Sequence, residues 1–209
     1  MAGTAILGVI LAGGRSLRMG TDKALMPIEG MPLVARVARR FAPQVARLIV
    51  NANGEAGRFA ALGLLVVGDS GTGEPDFEHA GPLAGIAVAL AFAQRAGFLH
   101  VATVPVDAPL LPLDLVARLA AGAENEVALA AGPDGMEPLF ALWPATLAPV
   151  VAAAMTGGER AVWRFVQRLP HRLVSFTFER GEPSPFLNLN TPADAATFAR
   201  RTKRPPAAP

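Results

Sequence analysis

Short β-branched or apolar runs alternate with alanine-rich stretches of helical spacing, and this alternation constrains the fold more than any other feature of the chain. Strands joined through helices run parallel, with helices packed on both faces of their sheet. "AILGVIL" (5–11) predicts a buried strand, "PLVARVARRFA" (32–42) a helix, "RLIVNAN" (47–53) a second strand and residues 55–62 a short helix. "LLVVGD" (64–69) reads as a third strand. "GPLAGIAVALAFAQRAG" (81–97) reads as a long buried helix stopped by Gly97, and "FLHVATVPVD" (98–107) as a fourth strand.

The second half is less regular. A helix is expected over 111–122 and a strand over 126–132. The turn "PDG" (133–135) then leads to the apolar run 138–143, which makes the sheet mixed. Helices are expected within 145–168, a strand over 171–178 and a closing helix over 191–203, with Thr191 as cap, Pro192 in the first turn and Asp194 near the positive end. No internal repeat or long polar linker appears. The expectation is therefore one domain over 1–203 and a disordered tail, "RPPAAP" (204–209).

Of the 209 residues, 52% are hydrophobic and 17% charged, ample apolar material for one core. The net charge is only +2 and the arginines are scattered, which argues against a nucleic-acid partner. With no cysteine, disulfides, thiolate metal sites and cysteine nucleophiles are excluded. No uninterrupted apolar stretch reaches membrane-spanning length, and the N-terminus lacks a signal-peptide pattern. The expectation is a cytoplasmic monomer with no membrane partner.

The first strand empties into "LAGGRSLRMGTDKAL" (11–25). Between Gly13 and Lys23 this segment spends three glycines, two arginines and a lysine, more than a turn requires. Gly13 and Gly14 let the backbone approach a ligand closely, while Arg15, Arg18 and Lys23 add positive charge; the pattern suits a polyanion. Lys23 and Lys203 are the only lysines, so position 23 keeps a compact ammonium in an arginine-rich chain. The segment follows neither the Walker nor the dinucleotide-binding spacing.

Ligands of such sheets sit outside the carboxyl ends of the strands, where Asp69 and Asp107 also fall. Asp107, between prolines in "VPVDAP", has two readings: a hard oxygen ligand for Mg²⁺, or a cap for the next helix, a role Asp114 fills equally. Asp69 has three readings: acceptor for a ribose or base, indirect aid to a metal, or strand terminator. Asn51 and Asn53 in "VNAN" suit turns. No HExxH spacing and no GxSxG elbow occurs, and His79, His100 and His171 carry no motif. The chemistry should need neither a covalent enzyme intermediate nor a histidine base.

"LAGGRSLRMGTDK" closely resembles the signature LAGGxSxRMGxDK of the small nucleotidyltransferases that act on molybdopterin. Further collinear matches are "VNAN" (50–53), "DS" (69–70), "GPLAG" (81–85), "VPVDAP" (104–109), "EPLFALW" (137–143) and "FLNLNTPAD" (186–194). The paired glycine and the aspartate before lysine resemble the guanylyltransferase branch, the molybdenum cofactor guanylyltransferase family. The resemblance implies a three-layer α/β/α Rossmann-like nucleotidyltransferase fold with a mostly parallel mixed sheet. It also implies transfer of GMP from GTP to molybdopterin with release of pyrophosphate.

Carried over by position, the resemblance implies that Leu11, Ala12, Gly13 and Gly14 line the nucleotide. Lys23 would contact phosphate, Arg18 would help position it, and Asn51 and Asp69 would hold the nucleoside. Asp107 would bind Mg²⁺, and Asn188 and Asn190 would face the molybdopterin. Proteins of molybdenum insertion or molybdoenzyme maturation are the implied partners. Nothing is assigned to 156–168. The alternatives are cytidylyl transfer to molybdopterin, another small-molecule nucleotidyl transfer, and a nucleotide-binding assembly module that never turns over.

Overall fold

A computed structural model describes residues 5–13, 22–69, 81–133, 135–178, 184–190, 194 and 198. The first half contains β1 (Ile6–Leu11), β2 (Pro27–Ile28), β3 (Met31–Pro32), α1 (Leu33–Phe41), β4 (Arg47–Asn51), β5 (Leu65–Val67), α2 (Pro82–Ala96) and β6 (His100–Pro105). There follow α3 (Leu115–Ala120), β7 (Val127–Gly132), β8 (Gly135–Pro144), α4 (Ala148–Thr156), α5 (Val162–Val166) and β9 (His171–Ser175). Among the described residues seven strands form one sheet in the order β5-β4-β1-β6-β8-β7-β9, and β2 and β3 form a separate pair. Within the large sheet only β8 runs antiparallel to its neighbours.

The alternating side chains of β1 explain the three layers. Ile6 and Ile10 pack on one face with Val34, Val37 and Phe41 of α1. Leu7, Val9 and Leu11 pack on the other with Leu83, Ile86 and Leu90 of α2. A strand covered on both faces reads as an unbroken apolar run, which is why "ILGVIL" shows no polar alternation. α2 is buried almost all round because it lies between the sheet and α4. It starts with Pro82 after Gly81 (φ +85°) and stops at Gly97 (φ +78°), a left-handed cap that favours glycine. The reversed β8 carries the fully buried Trp143, whose Nε1 donates to Thr103 Oγ1 on β6 at 3.1 Å.

Several expected elements are shorter than the patterns suggested. β4 ends at Asn51, β5 at Val67 and β6 at Pro105, so Asn53, Asp69 and Asp107 stand beyond the ladder; Asn53 and Asp69 bond each other, and Asp107 accepts from Lys23. Residues 56–62 form a 3-10 run, not an α-helix. The helix expected over 111–122 covers only Leu115–Ala120. The stretch 145–168 splits into α4 and α5 around Gly157 and Gly158, the latter at φ +89°. β8 extends back to Gly135, beyond the expected 138–143, and there pairs with Gly132 at the end of β7.

The β2–β3 hairpin was not expected. Glu29 (φ +49°) and Gly30 (φ +78°) make its turn, both with left-handed backbone as a type I′ turn needs. Of the expected closing helix over 191–203, Asp194 and Phe198 are described, and both are helical. Thr191, Pro192 and the tail 204–209 lie outside the described residues. No helix among the described residues is long and apolar enough to cross a membrane.

Register brings the strand ends to one edge. Leu11 pairs with Asn51 on one side and Pro105 on the other, and Asn51 pairs with Val67. Backbone bonds continue one step past each strand: Ala12 N–H to Asn51 O (2.8 Å), Val106 N–H to Leu11 O (3.1 Å) and Ala52 N–H to Val67 O (3.1 Å). The loops that carry the polar residues therefore leave a fixed frame together.

Candidate active site

Lys23 opens a short 3-10 turn, Lys23–Leu25, capped by Asp22, whose Oδ1 accepts the Ala24 N–H at 3.0 Å. The Lys23 ammonium donates to Asp107 Oδ2 at 2.7 Å and to Asn190 Oδ1 at 2.6 Å. Three segments remote in sequence thus meet at one cation. Asp107 follows β6 by two residues, and its carbonyl accepts the Leu189 N–H at 2.8 Å, which ties "FLNLN" to "VPVDAP".

That last segment alternates. Phe186 and Leu189 are buried, whereas Asn188 and Asn190 are exposed. Phe186 packs edge-on against Phe140 (4.8 Å between centroids) and Phe176 (5.5 Å), anchoring the segment in the core. Asn190 N–H donates to Asp194 Oδ2 at 2.9 Å, which holds the end of this segment. Asn188 makes no side-chain hydrogen bond among the described residues.

A second cluster sits at the ends of β4 and β5. Asn51 Nδ2 donates to Asp69 Oδ1 (2.8 Å) and to Val67 O (3.1 Å). Asn53 Nδ2 donates to Asp69 Oδ2 (2.6 Å), and the Asp69 N–H returns to Asn53 Oδ1 (2.8 Å). Asp69 is only 4% exposed, and amides on both of its oxygens offset the cost of burying it. Its reading as a mere strand terminator does not account for this network.

Two glycines shape the space around that cluster. A Cβ on Gly13 would lie 3.2 Å from Asn51 Oδ1 and 3.9 Å from Asp69 Oδ2, so the backbone passes closer to Asn51 than a side chain comfortably allows. A Cβ on Gly85 would meet Asn51 Oδ1 at 2.2 Å, so α2 approaches Asn51 as only glycine allows.

The structure brings together Lys23, Asp107 and Asn190 at one point and Asn51 with Asp69 at another, both at the edge where the loop after β1 leaves the sheet. Leu11 and Ala12 are buried, and the Ala12 N–H is committed to Asn51 O; these positions fix the path of the loop rather than offer side chains. Gly14, Arg15 and Arg18 lie outside the described residues. The helix-cap reading of Asp107 fails, because α3 begins at Leu115 behind Asp114. Of the histidines, His100 lies in β6 and His171 opens β9 against Trp163; His79 lies outside the described residues.

Sequence reasoning missed three participants. Asn53 looked like a turn former, yet it holds Asp69; two asparagines at i and i+2 beside a strand that ends in aspartate were the available signal. Asp22 and Arg58 form a close ion pair, Nη1 to Oδ2 at 2.9 Å, with no local pattern to announce it.

No group of three or more histidine, cysteine, aspartate or glutamate side chains among the described residues could enclose a metal ion. Asp107 Oδ1, however, is buried with no hydrogen-bond partner among the described residues while Oδ2 takes Lys23. One carboxylate oxygen without a protein donor fits Mg²⁺, which takes one or two carboxylates and completes its shell with substrate phosphates and water.

Glu159, in the unassigned stretch, has a structural role. Its Oε1 accepts the Arg160 and Ala161 N–H groups ahead of α5, and its Oε2 lies 3.0 Å from Arg168 Nη2. The backbone bonds to Ala161 and Arg160, with the Arg164 and Arg168 guanidiniums, hold its carboxyl below the ordinary value.

Comparison with known proteins identifies the family. The family model described as "MobA-like NTP transferase domain" matches residues 8–173. The molybdenum cofactor guanylyltransferase of Cereibacter sphaeroides is 42% identical over 193 residues, 91% of this chain and 94% of that protein. That of Rhizobium meliloti (strain 1021) is 42% identical over 196 residues, 89% of this chain and 87% of that protein. The solved structure of molybdopterin-guanine dinucleotide biosynthesis protein A from Archaeoglobus fulgidus matches with a TM-score of 0.70 at 22% identity, over 93% of this chain and 97% of that one. That last likeness is one of fold. Domain match, identity and coverage together show that this chain belongs to the molybdenum cofactor guanylyltransferase family of nucleotidyltransferases.

Proposed function

We propose that the Lys23–Asp107–Asn190 rim and the Asn51–Asn53–Asp69 cluster together carry out the transfer of GMP from GTP to the terminal phosphate of Mo-molybdopterin. An oxygen of that phosphate attacks the α-phosphorus of GTP. The bond from the α-phosphorus to the bridging oxygen breaks, and pyrophosphate leaves with the electron pair. The nucleophile is anionic at neutral pH, so no strong base is required. The obstacle is the approach of two polyanions, and catalysis is charge neutralisation plus in-line positioning.

The contact that carries this reading is Lys23 on Asp107 and Asn190. An ammonium has three donors, and two are taken here, which leaves the third for a phosphate oxygen. Asp107 would hold Mg²⁺ through Oδ1, and the bound ion supplies charge neutralisation at the phosphates. Asn188 and Asn190 face the acceptor, with the buried Leu189 between them fixing their direction.

The Asp69 carboxylate favours guanine. Guanine presents adjacent N1–H and N2–H donors, whereas the cytosine edge presents one amino donor beside an acceptor. A carboxylate accepts and cannot donate, so the donor pair suits it better. Gly13 passes this cluster without a side chain to press on Asn51.

The test is product analysis with Mo-molybdopterin, Mg²⁺ and either GTP or CTP. Formation of the guanine dinucleotide with one pyrophosphate per transfer supports the reading. Preference for CTP would move the chain to cytidylyl transfer, and nucleotide binding without pyrophosphate release would make it an assembly module.

A further inference from the structure

The lysine turn and the asparagine–aspartate cluster lie on separate segments, and one side chain grips both. Arg58 Nη2 donates to the backbone carbonyl of Asn53 at 2.7 Å, while Nη1 lies 2.9 Å from Asp22 Oδ2. The Asp22 contact is an ion pair rather than a well-directed hydrogen bond, since Oδ2 is buried without a directed donor. Asp22 in turn caps the turn that presents Lys23, and Asn53 holds Asp69. The guanidinium lies 4.8 Å from the centre of the Phe59 ring, and Phe59 is buried, so the fork stands on a rigid floor.

We propose that Arg58 is a positioning residue for nucleotidyl transfer: it fixes the lysine turn relative to the base-binding cluster by holding Asp22 with one nitrogen and Asn53 with the other. The proposal rests on the reading above, in which Lys23 meets phosphate and Asp69 meets the base of a single nucleotide. The reach between those two parts of GTP is limited, so the two anchors must keep a matching separation. The guanidinium reaches Asp22 and the Asn53 carbonyl at once from two separate nitrogens, which a single lysine ammonium on a flexible stem cannot reproduce. Misplacing a reacting group by about 1 Å can cost on the order of a hundredfold in rate.

The alternative is that Arg58 only secures the 3-10 run 56–62, and the experiment separates the two. Arg58→Ala, Arg58→Lys and Asp22→Asn are compared with the intact chain by GTP calorimetry, steady-state transfer and melting temperature. Arg58→Ala is also made in a Lys23→Ala background. The expected result is a loss of roughly ten- to a hundredfold in kcat/KM for GTP in both Arg58 variants. Asp22→Asn should mimic them, and Arg58→Ala should add less than about twofold once Lys23 is absent, because coupled residues are not additive.

Wild-type kinetics and GTP affinity in Arg58→Lys would overturn the proposal, as would losses from Arg58 and Lys23 that simply multiply. A lowered melting point with unchanged kinetics would also overturn it. GTP calorimetry needs no acceptor, so a wrong acceptor assignment abolishes transfer in the intact chain yet leaves the Arg58 effect on GTP binding measurable.

Discussion

Lys23 Nζ and Asp107 Oδ2 lie 2.7 Å apart although 84 positions separate the two residues in the chain. Both side chains are about one-fifth exposed, a shielded setting in which charge matters more than on an open surface. Lys23→Ala removes the ammonium and leaves Asp107 and Asn190 facing each other. Transfer measured as pyrophosphate release should fall by about a hundredfold or more, the scale of one preorganised electrostatic contact. Lys23→Arg should not restore it, because a planar fork cannot occupy the compact point between two acceptors at 2.6 and 2.7 Å.

Asp107→Asn keeps an acceptor for Lys23 but removes the negative charge proposed to hold Mg²⁺. The variant should transfer at about a hundredth of the normal rate or less and need more Mg²⁺ for half-maximal activity. A rate and Mg²⁺ titration identical to those of the intact chain would remove the metal from Asp107.

Gly85→Ala probes the floor beneath Asn51. The added Cβ would fall 2.2 Å from Asn51 Oδ1 and 3.0 Å from its Cγ, and Asn51 is buried and fastened to Asp69 and Val67. Overpacking of this kind costs about 1–3 kcal/mol. GTP affinity and Tm should both drop in the single variant. Adding Asn51→Ala should recover part of the Tm by vacating the space, and none of the affinity.

Arg118→Ala serves as the control cation. Its guanidinium lies 3.9 Å from the Phe176 ring centre and donates to the Ser175 carbonyl, away from the candidate site. Its loss should lower stability by about 0.5–1 kcal/mol and leave kcat/KM for GTP unchanged. A kinetic loss equal to that of Lys23→Ala would contradict the division of cations made here.

Glu159 predicts a pH signature remote from the chemistry. Its carboxyl titrates lower in the folded chain than in the unfolded one, so the stability it contributes is present above the unfolded value, 4.5, and is lost as pH falls through the folded value. The Tm gap between the intact chain and Glu159→Gln should be constant near neutrality and close below about pH 4.5. A gap that widens in acid would refute the assignment.

The central strands and α2 were legible because burial on two sides leaves an apolar run, and Gly97 marks a helix end unambiguously. The hairpin at 27–32 was hidden: Pro27 and Pro32 argue against strand, and Glu29 takes a left-handed backbone that its residue type rarely adopts. Lys23, Asp69 and Asp107 stood out because glycines, prolines and strand ends surround them. Asn53 did not, because asparagine at a strand end is explained equally well by a turn. Arg58 carried no sign at all, since its meaning depends on Asp22, which arrives beside it only when β1 and β4 pair.

The most direct measurement is a crystal structure with GTP and Mg²⁺ bound. The account predicts the triphosphate against Lys23 and Asp107, the ion on Asp107 Oδ1, and the guanine against Asp69 beside Gly13. A nucleotide bound elsewhere, or lying in this cleft with its phosphates at Asp69 and its base at Lys23, would contradict it.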